Sequence, residues 1–267
     1  MSDDILLEVD DGVAVVTINR PQRLNSVTRT AAHQLAQTLW GLRDRDDVKA
    51  VVLTGAGKAF CAGLDLSSED ASSPELRVEG RPRYVVRSPL WGFGDVTRAI
   101  VGVDKPVIAA IAGPAVGAGL AFALAADRRI AESTARLSAI FVRRGLAPDC
   151  GLSYFLPRIV GLPKALWMVT TGVLLGAQEA LAMGLVDEVV EEGRALEAAL
   201  RYARQFARGA SVAVELARRA IYKSLSSNLE EMLLYEEFAG MTAAQTEDAR
   251  EGLAAFLEKR EPNFRGH

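Results

Sequence analysis

Histidine is nearly absent from this sequence. Only His33 and His267 occur in 267 residues, the first inside a helical pattern and the second at the end of a tail. A nucleophilic serine or cysteine needs an imidazole to take its proton, and a histidine-built metal centre needs several. Both chemistries are poorly supported. Cysteine is equally scarce: Cys61 and Cys150 make no disulfide framework and suit a reducing cytosol. There is no basic excess either. The 31 Lys and Arg stand against 34 Asp and Glu, a formal charge of −3, which argues against nucleic acid as a partner. The short pairs Arg128-Arg129, Arg143-Arg144 and Arg218-Arg219 read as solvated or interface charge. The longest apolar run, residues 107–126, is broken by Gly113, Pro114, Gly117 and Gly119, so it is a core segment rather than a membrane span. The acidic start, MSDDILLEVDDG, lacks the basic and apolar regions of a secretion signal.

What the chain has is apolar mass. Hydrophobic residues make up 49% of it, enough for one large core or a core with an appendage. Segments 5–9 and 12–19 alternate around Asp10-Asp11-Gly12 and predict a β-hairpin. Helical spacing follows over 28–43, then a buried strand over 50–53. Residues 67–90 are rich in Ser, Pro, Arg and Glu and read as a surface segment that covers a site. A second buried strand, 107–112, feeds a Gly-rich turn and an apolar helix from 118 to 126. Beyond Leu152 the pattern is helical, interrupted by a strand over 185–190. The expectation is an α/β core over 1–190 and a helical region over 191–267.

Two glycine-containing turns carry the chemistry. In Ala59-Phe60-Cys61-Ala62-Gly63-Leu64-Asp65, Gly63 allows a close backbone approach that would present the Leu64 N–H. In Gly113-Pro114-Ala115-Val116-Gly117-Ala118-Gly119, small residues open a helix N-terminus, where unpaired N–H groups and the macrodipole favour an anion. No Gly-Lys-Ser/Thr follows, so this is not a phosphate loop. The spaced glycines of a dinucleotide fingerprint are missing too. Each turn alone fits a tight turn in a packed core equally well.

Together these segments resemble the enoyl-CoA hydratase/isomerase (crotonase) family. The resemblance runs through Asn19-Arg20-Pro21 with Leu24-Asn25, VVLTGAGKAFCAGLDL, KPVIAAIAGPAVGAGLAFALAAD, GLAPDCGLSYFLPRIVG, Ala180 to Asp187, and Phe256 to Arg260 with Pro262 and Phe264. It implies a spiral of ββα turns with a helical C-terminal trimerisation region, assembled as a homotrimer or a dimer of trimers. It also implies an acyl-CoA thioester whose carbonyl oxygen lies between the N–H groups of Leu64 and Ala118. No separate cofactor is implied, since CoA is part of the substrate. Arg23, Lys58, Ala62, Gly63, Asp65, Leu66, Gly117 and Phe141 fall on the substrate path by the same resemblance. Lys259 would reach a phosphate, in its own or a neighbouring subunit's site.

The carboxylates sort the reaction. The hydratases resembled here handle water with two glutamates, and those positions are Ala121 and Phe141 in this chain. Asp149 is the remaining acid in the region, at a position where family isomerases of dienoyl-CoA and of ring epoxides also have one. Phe141, Leu146 and Ala147 are expected to desolvate it and favour its protonated form. The plainer alternative is a cap for a helix starting near Gly151. Asp65 and Asp127 read as structural, Glu132 as a surface or interface residue, and both cysteines as packing residues. The expected activity is an isomerase with a single Asp acid/base. The alternatives are a hydratase with a non-standard water site and a non-catalytic acyl-CoA binder.

Overall fold

The computed structural model describes residues 3–65 and 93–266. The segment expected to cover the site, together with Leu66 and Trp91, lies outside the described residues.

The hairpin forms as expected, with β1 (Ile5–Asp10) antiparallel to β2 (Val13–Ile18). From there one pattern recurs. A long strand enters a main sheet, a very short strand enters a second sheet, and a helix returns the chain. The first turn of this spiral is β2, Val27 and α1 (Arg29–Gly41). The second is β3 (Ala50–Gly55), Cys61 and α2 (Gly94–Gly102). Next come β4 (Val107–Ile111), β5 (Pro114–Val116) and α3 (Ala118–Ala125). The fourth turn is β6 (Arg128–Glu132), β7 (Arg136–Ser138) and α4 (Leu152–Val160). The chain continues through α5 (Leu162–Thr171), β8 (Leu175–Gly176), α6 (Ala177–Met183) and β9 (Glu188–Val190). The main sheet has the order β1-β2-β3-β4-β6-β9, parallel after the first pair, and β5-β7-β8 form the second sheet. This is the expected ββα spiral.

The main sheet is covered on both faces, which explains its unbroken apolar runs. Val51 and Leu53 of β3 face a core shared with α1, α2 and α3, while Ala50 and Val52 face the opposite side. That opposite side is closed by α7 (Ala195–Ala207), whose Ala195, Ala198, Ala199 and Ala203 lie flat on the strands. The packed core therefore extends past residue 190. Three further helices follow: α8 (Ser211–Ser224), α9 (Leu229–Ala244) and α10 (Glu247–Glu258). Large apolar side chains of α9 and α10 remain uncovered, Leu234, Phe238, Phe256 and Leu257 among them. Among the described residues, no helix is long and apolar enough to cross a membrane.

Several charges depart from their expected surface roles. Arg129 is buried, donating to the Ala126 carbonyl (2.8 Å) and pairing with Asp187 at 2.9 Å. Arg218 is likewise enclosed, bound to Asp127 (2.8 Å) and to the carbonyls of Ile100 and Val101. Asp127 also accepts from the Val107 N–H and the Tyr222 hydroxyl, so it ties α8 to the sheet. Glu132 is buried rather than exposed. A buried charge persists only where a partner repays its lost hydration. Such partners, Asp187 for Arg129 and Asp127 for Arg218, are 58 and 91 residues away in the chain. Only Arg143-Arg144 is exposed as expected.

Candidate active site

The first donor loop is strung between two neighbouring turns of the spiral. On one side the Val27 N–H donates to the Gly63 carbonyl (2.8 Å), and the Asp65 N–H donates to the Val27 carbonyl (3.0 Å). In such a parallel bridge the middle residue directs its own N–H to the other side. That residue is Leu64. On the other side Cys61 is bridged to Ala115: the Cys61 N–H donates to Pro114 O and the Val116 N–H to Cys61 O, both at 3.0 Å. The chain then leaves this pairing at Gly117 (φ 58), whose N–H goes to Ser138 O, and α3 starts at Ala118.

This contact depends on missing side chains. A Cβ on Gly119 would lie 2.0 Å from the Cys61 carbonyl oxygen, and one on Gly113 would lie 2.1 Å from that of Lys58. Gly63 has φ +95, and its Cβ position is 2.8 Å from Val116 O and 3.5 Å from the Ala118 nitrogen. The two segments quoted as separate motifs are therefore one packed unit. Among the described residues, neither the Leu64 nor the Ala118 N–H finds an acceptor. Ala118 is the first residue of its helix, so its N–H has no intrahelical partner by construction.

Buried polar groups fix the loop from behind. Asn25 is fully buried at φ 56, accepts from the Arg20 N–H (2.9 Å) and donates to the carbonyls of Ala56 (2.9 Å) and Ala59 (2.6 Å). Arg20 donates to the Ser26 carbonyl and pairs with Asp65 at 2.9 Å. Asp65, expected on the substrate path, has its carboxylate buried and bound to Arg20, so its side chain shapes the loop. Arg20 and Asn25 belong to the quoted Asn-Arg-Pro and Leu-Asn pairs, yet nothing in their spacing announces that they brace a loop some 35 residues onward.

The other expected residues divide by location. The Ala62 N–H donates to the Leu24 carbonyl (3.0 Å), which brings Arg23 beside the loop, and Lys58 abuts Gly113. The side chains of Arg23 and Lys58 are exposed. Phe141 is buried, with its ring tip 4.0 Å from the Cβ position of Gly117, so it walls the second donor. Ala121 is fully buried one turn into α3. Lys259 is not brought near: it ends α10, which packs chiefly on α9.

Asp149 differs from expectation in two respects. It is exposed, as are Leu146 and Ala147, so of the three apolar neighbours expected to desolvate it only Phe141 is buried. Nor does its side chain cap α4. Gly151 occupies that position without any side-chain bond, and only the Asp149 backbone carbonyl accepts, from the Leu152 N–H (3.0 Å). The carboxylate instead accepts from the Cys150 thiol at 2.9 Å. Cys150 is buried, and burial first, then the charge of Asp149, pushes its thiol pKa up. Burial likewise pushes the Cys61 thiol up to about 12. Both cysteines are thus protonated packing residues rather than nucleophiles.

The ββα spiral thus leaves two backbone donors without acceptors among the described residues, on segments packed against each other. Comparison with known proteins supplies the family. The model of the enoyl-CoA hydratase/isomerase family matches residues 8–267, and the chain belongs to this family. A probable enoyl-CoA hydratase of Rhodobacter capsulatus is 38% identical over 262 residues, covering 98% of both chains. A 1,2-epoxyphenylacetyl-CoA isomerase of Escherichia coli is 35% identical over 270 residues, covering 100% of both. The crystal structure of an enoyl-CoA hydratase from Bacillus anthracis superposes with a TM-score of 0.88 at 32% identity, covering 99% of this chain and 100% of that one.

Proposed function

We propose that the protein is a CoA-thioester isomerase. The observation that supports this reading is a pair of backbone donors without acceptors among the described residues, Leu64 and Ala118, with Asp149 on the turn that follows Phe141, the residue that walls the second donor. The Leu64 and Ala118 N–H groups would hold the thioester oxygen as it gains charge. Asp149 would take a proton from one carbon of the acyl chain and return it to another carbon, moving a double bond, or to the oxygen freed when a strained epoxide ring opens, with no net gain or loss of atoms. The apolar Ala121 and Phe141 stand where the resembled hydratases carry their two glutamates, which disfavours activation of water. The relative named as an epoxyphenylacetyl-CoA isomerase agrees with this reading.

A second reading is hydration, favoured by the relative named as a hydratase and by the exposure of Asp149 to solvent. Replacing Asp149 by Asn separates them. On an acyl-CoA panel in deuterated water, the isomerase reading expects exchange at α or γ carbons that Asp149→Asn loses by at least about 100-fold. Undiminished turnover by Asp149→Asn ends it, and rapid loss of the conjugated thioester of crotonyl-CoA by the unaltered enzyme would favour hydration. We further propose assembly as a homotrimer or a dimer of trimers through the uncovered apolar faces of α9 and α10, with Lys259 serving a neighbouring site. Sedimentation as a monomer would overturn that assembly.

A further inference from the structure

We propose that Cys150 is a positioning residue: its buried thiol holds the Asp149 carboxylate in one orientation by donating to Oδ1 at 2.9 Å. The proposal rests on Asp149 being the acid/base group. An exposed carboxylate on a turn ordinarily samples several rotamers, and an acid/base group must sit within hydrogen-bond reach of the carbon-bound proton it moves. Something must therefore restrain Asp149, and the usual restraints are missing. It caps no helix. Among the described residues it forms no ion pair, and Arg143 and Arg158 on the flanking segments are bonded elsewhere, to the Thr171 carbonyl (3.0 Å) and to the Tyr154 carbonyl (2.8 Å) and ring. Among the described residues, the thiol is the one group that bonds the carboxylate.

The thiol is itself well anchored. Cys150 lies at φ 54, a left-handed conformation rare for a residue with a Cβ, and the next residue, Gly151, has φ 80. Thr97 of α2, itself buried, donates its hydroxyl to the Cys150 carbonyl at 2.6 Å and holds that turn in place. The line from α2 through Thr97, Cys150 and Asp149 thus runs from the packed core to the exposed carboxylate. Because burial and the adjacent carboxylate keep the thiol protonated, it remains a donor wherever Asp149 is ionised. Donation leaves Oδ2 without a partner among the described residues, which is the arrangement an acid/base oxygen requires.

Infrared spectroscopy and kinetics test this together. Cys61 and Cys150 give the S–H stretching bands, assigned with Cys61→Ala and Cys150→Ala. The Cys150 band should lie at low frequency and move up in Asp149→Asn, which replaces the charged acceptor. Cys150→Ala should lower kcat about three- to ten-fold, the worth of one modest hydrogen bond, with KM nearly unchanged. Cys150→Ser, which keeps a donor, should recover most of the loss. Both variants retain a Cβ and meet the same backbone conformation, so equal melting temperatures control for folding. A band indifferent to Asp149→Asn, or wild-type kcat in Cys150→Ala while Asp149→Asn is inactive, overturns the proposal alone. Wild-type turnover in Asp149→Asn overturns the acid/base reading and this proposal with it.

Discussion

Ala118→Pro is a sharp perturbation of the candidate site, because it deletes one backbone donor and sets a ring carbon in its place while sparing the helix. Proline has no N–H, and at the first position of a helix that loss breaks no intrahelical bond. Ala118 occupies that position in α3. Its predecessor, Gly117, has φ 58 and ψ −118, outside the helical region that proline disfavours in the residue before it. Folding stability should thus change by no more than about 1 kcal/mol. Catalysis should change far more. The ring carbon that replaces the N–H points into the same gap, next to Gly63, whose Cβ position is 3.5 Å from this nitrogen. Removing one donor from an oxyanion hole costs about 3–4 kcal/mol of barrier, on the order of 100- to 1,000-fold in kcat. The assay is solvent deuterium exchange on the best acyl-CoA of a panel, with thermal melting as the control for folding. A variant that melts like the parent and turns over at more than about a third of its rate would refute the assignment of Ala118.

Two further predictions concern the frame behind the loop. Asn25→Ala removes three bonds at a fully buried position, leaving the Arg20 N–H and the Ala56 and Ala59 carbonyls unpaired. At about 1–3 kcal/mol for each unsatisfied group, a loss of at least about 3 kcal/mol should appear in urea unfolding, and a loss under 1 would contradict the bracing role. Cys61 sets an alkaline limit on stability. Burial raises its thiol pKa from the ordinary 9.0 to about 12 in the folded chain. Its contribution is therefore complete below pH 9 and declines as pH rises towards 12, by up to about 1.4 kcal/mol per pH unit. Cys61→Ala should flatten the pH dependence of unfolding in that window, and an unaltered slope would argue against the buried, protonated thiol.

The fold was legible where a periodic or unbroken apolar pattern lasted four residues or more: β1 to β4, α1 and α3 lie close to their expected bounds, and the region beyond Leu152 is mainly helical as expected. The spiral's regularity was not legible, since its second strands are one to three residues long, too short for alternation to register. β6 was hidden by Arg128, Arg129 and Glu132: Arg129 is buried against Asp187, 58 residues away, and Arg128 reaches Tyr202, 74 residues away. The donor turns were readable because glycine is required where backbones nearly touch, as Gly113 and Gly119 show. Their bracing by Arg20, Asn25 and Asp65 was not, because those bonds connect separate turns of the spiral. The expected desolvation of Asp149 failed for a similar reason: neighbours in sequence, Leu146 and Ala147, are not its cover in space.

In the proposed enzyme the Leu64 and Ala118 N–H groups polarise a thioester carbonyl. Difference infrared spectroscopy of a carbonyl-labelled acyl-CoA bound to the enzyme tests it most directly. Two donors should move the labelled carbonyl stretch to lower frequency than in water, and Ala118→Pro should reverse much of that shift while the ligand stays bound. A bound carbonyl that absorbs as it does in water would rule out the paired donors.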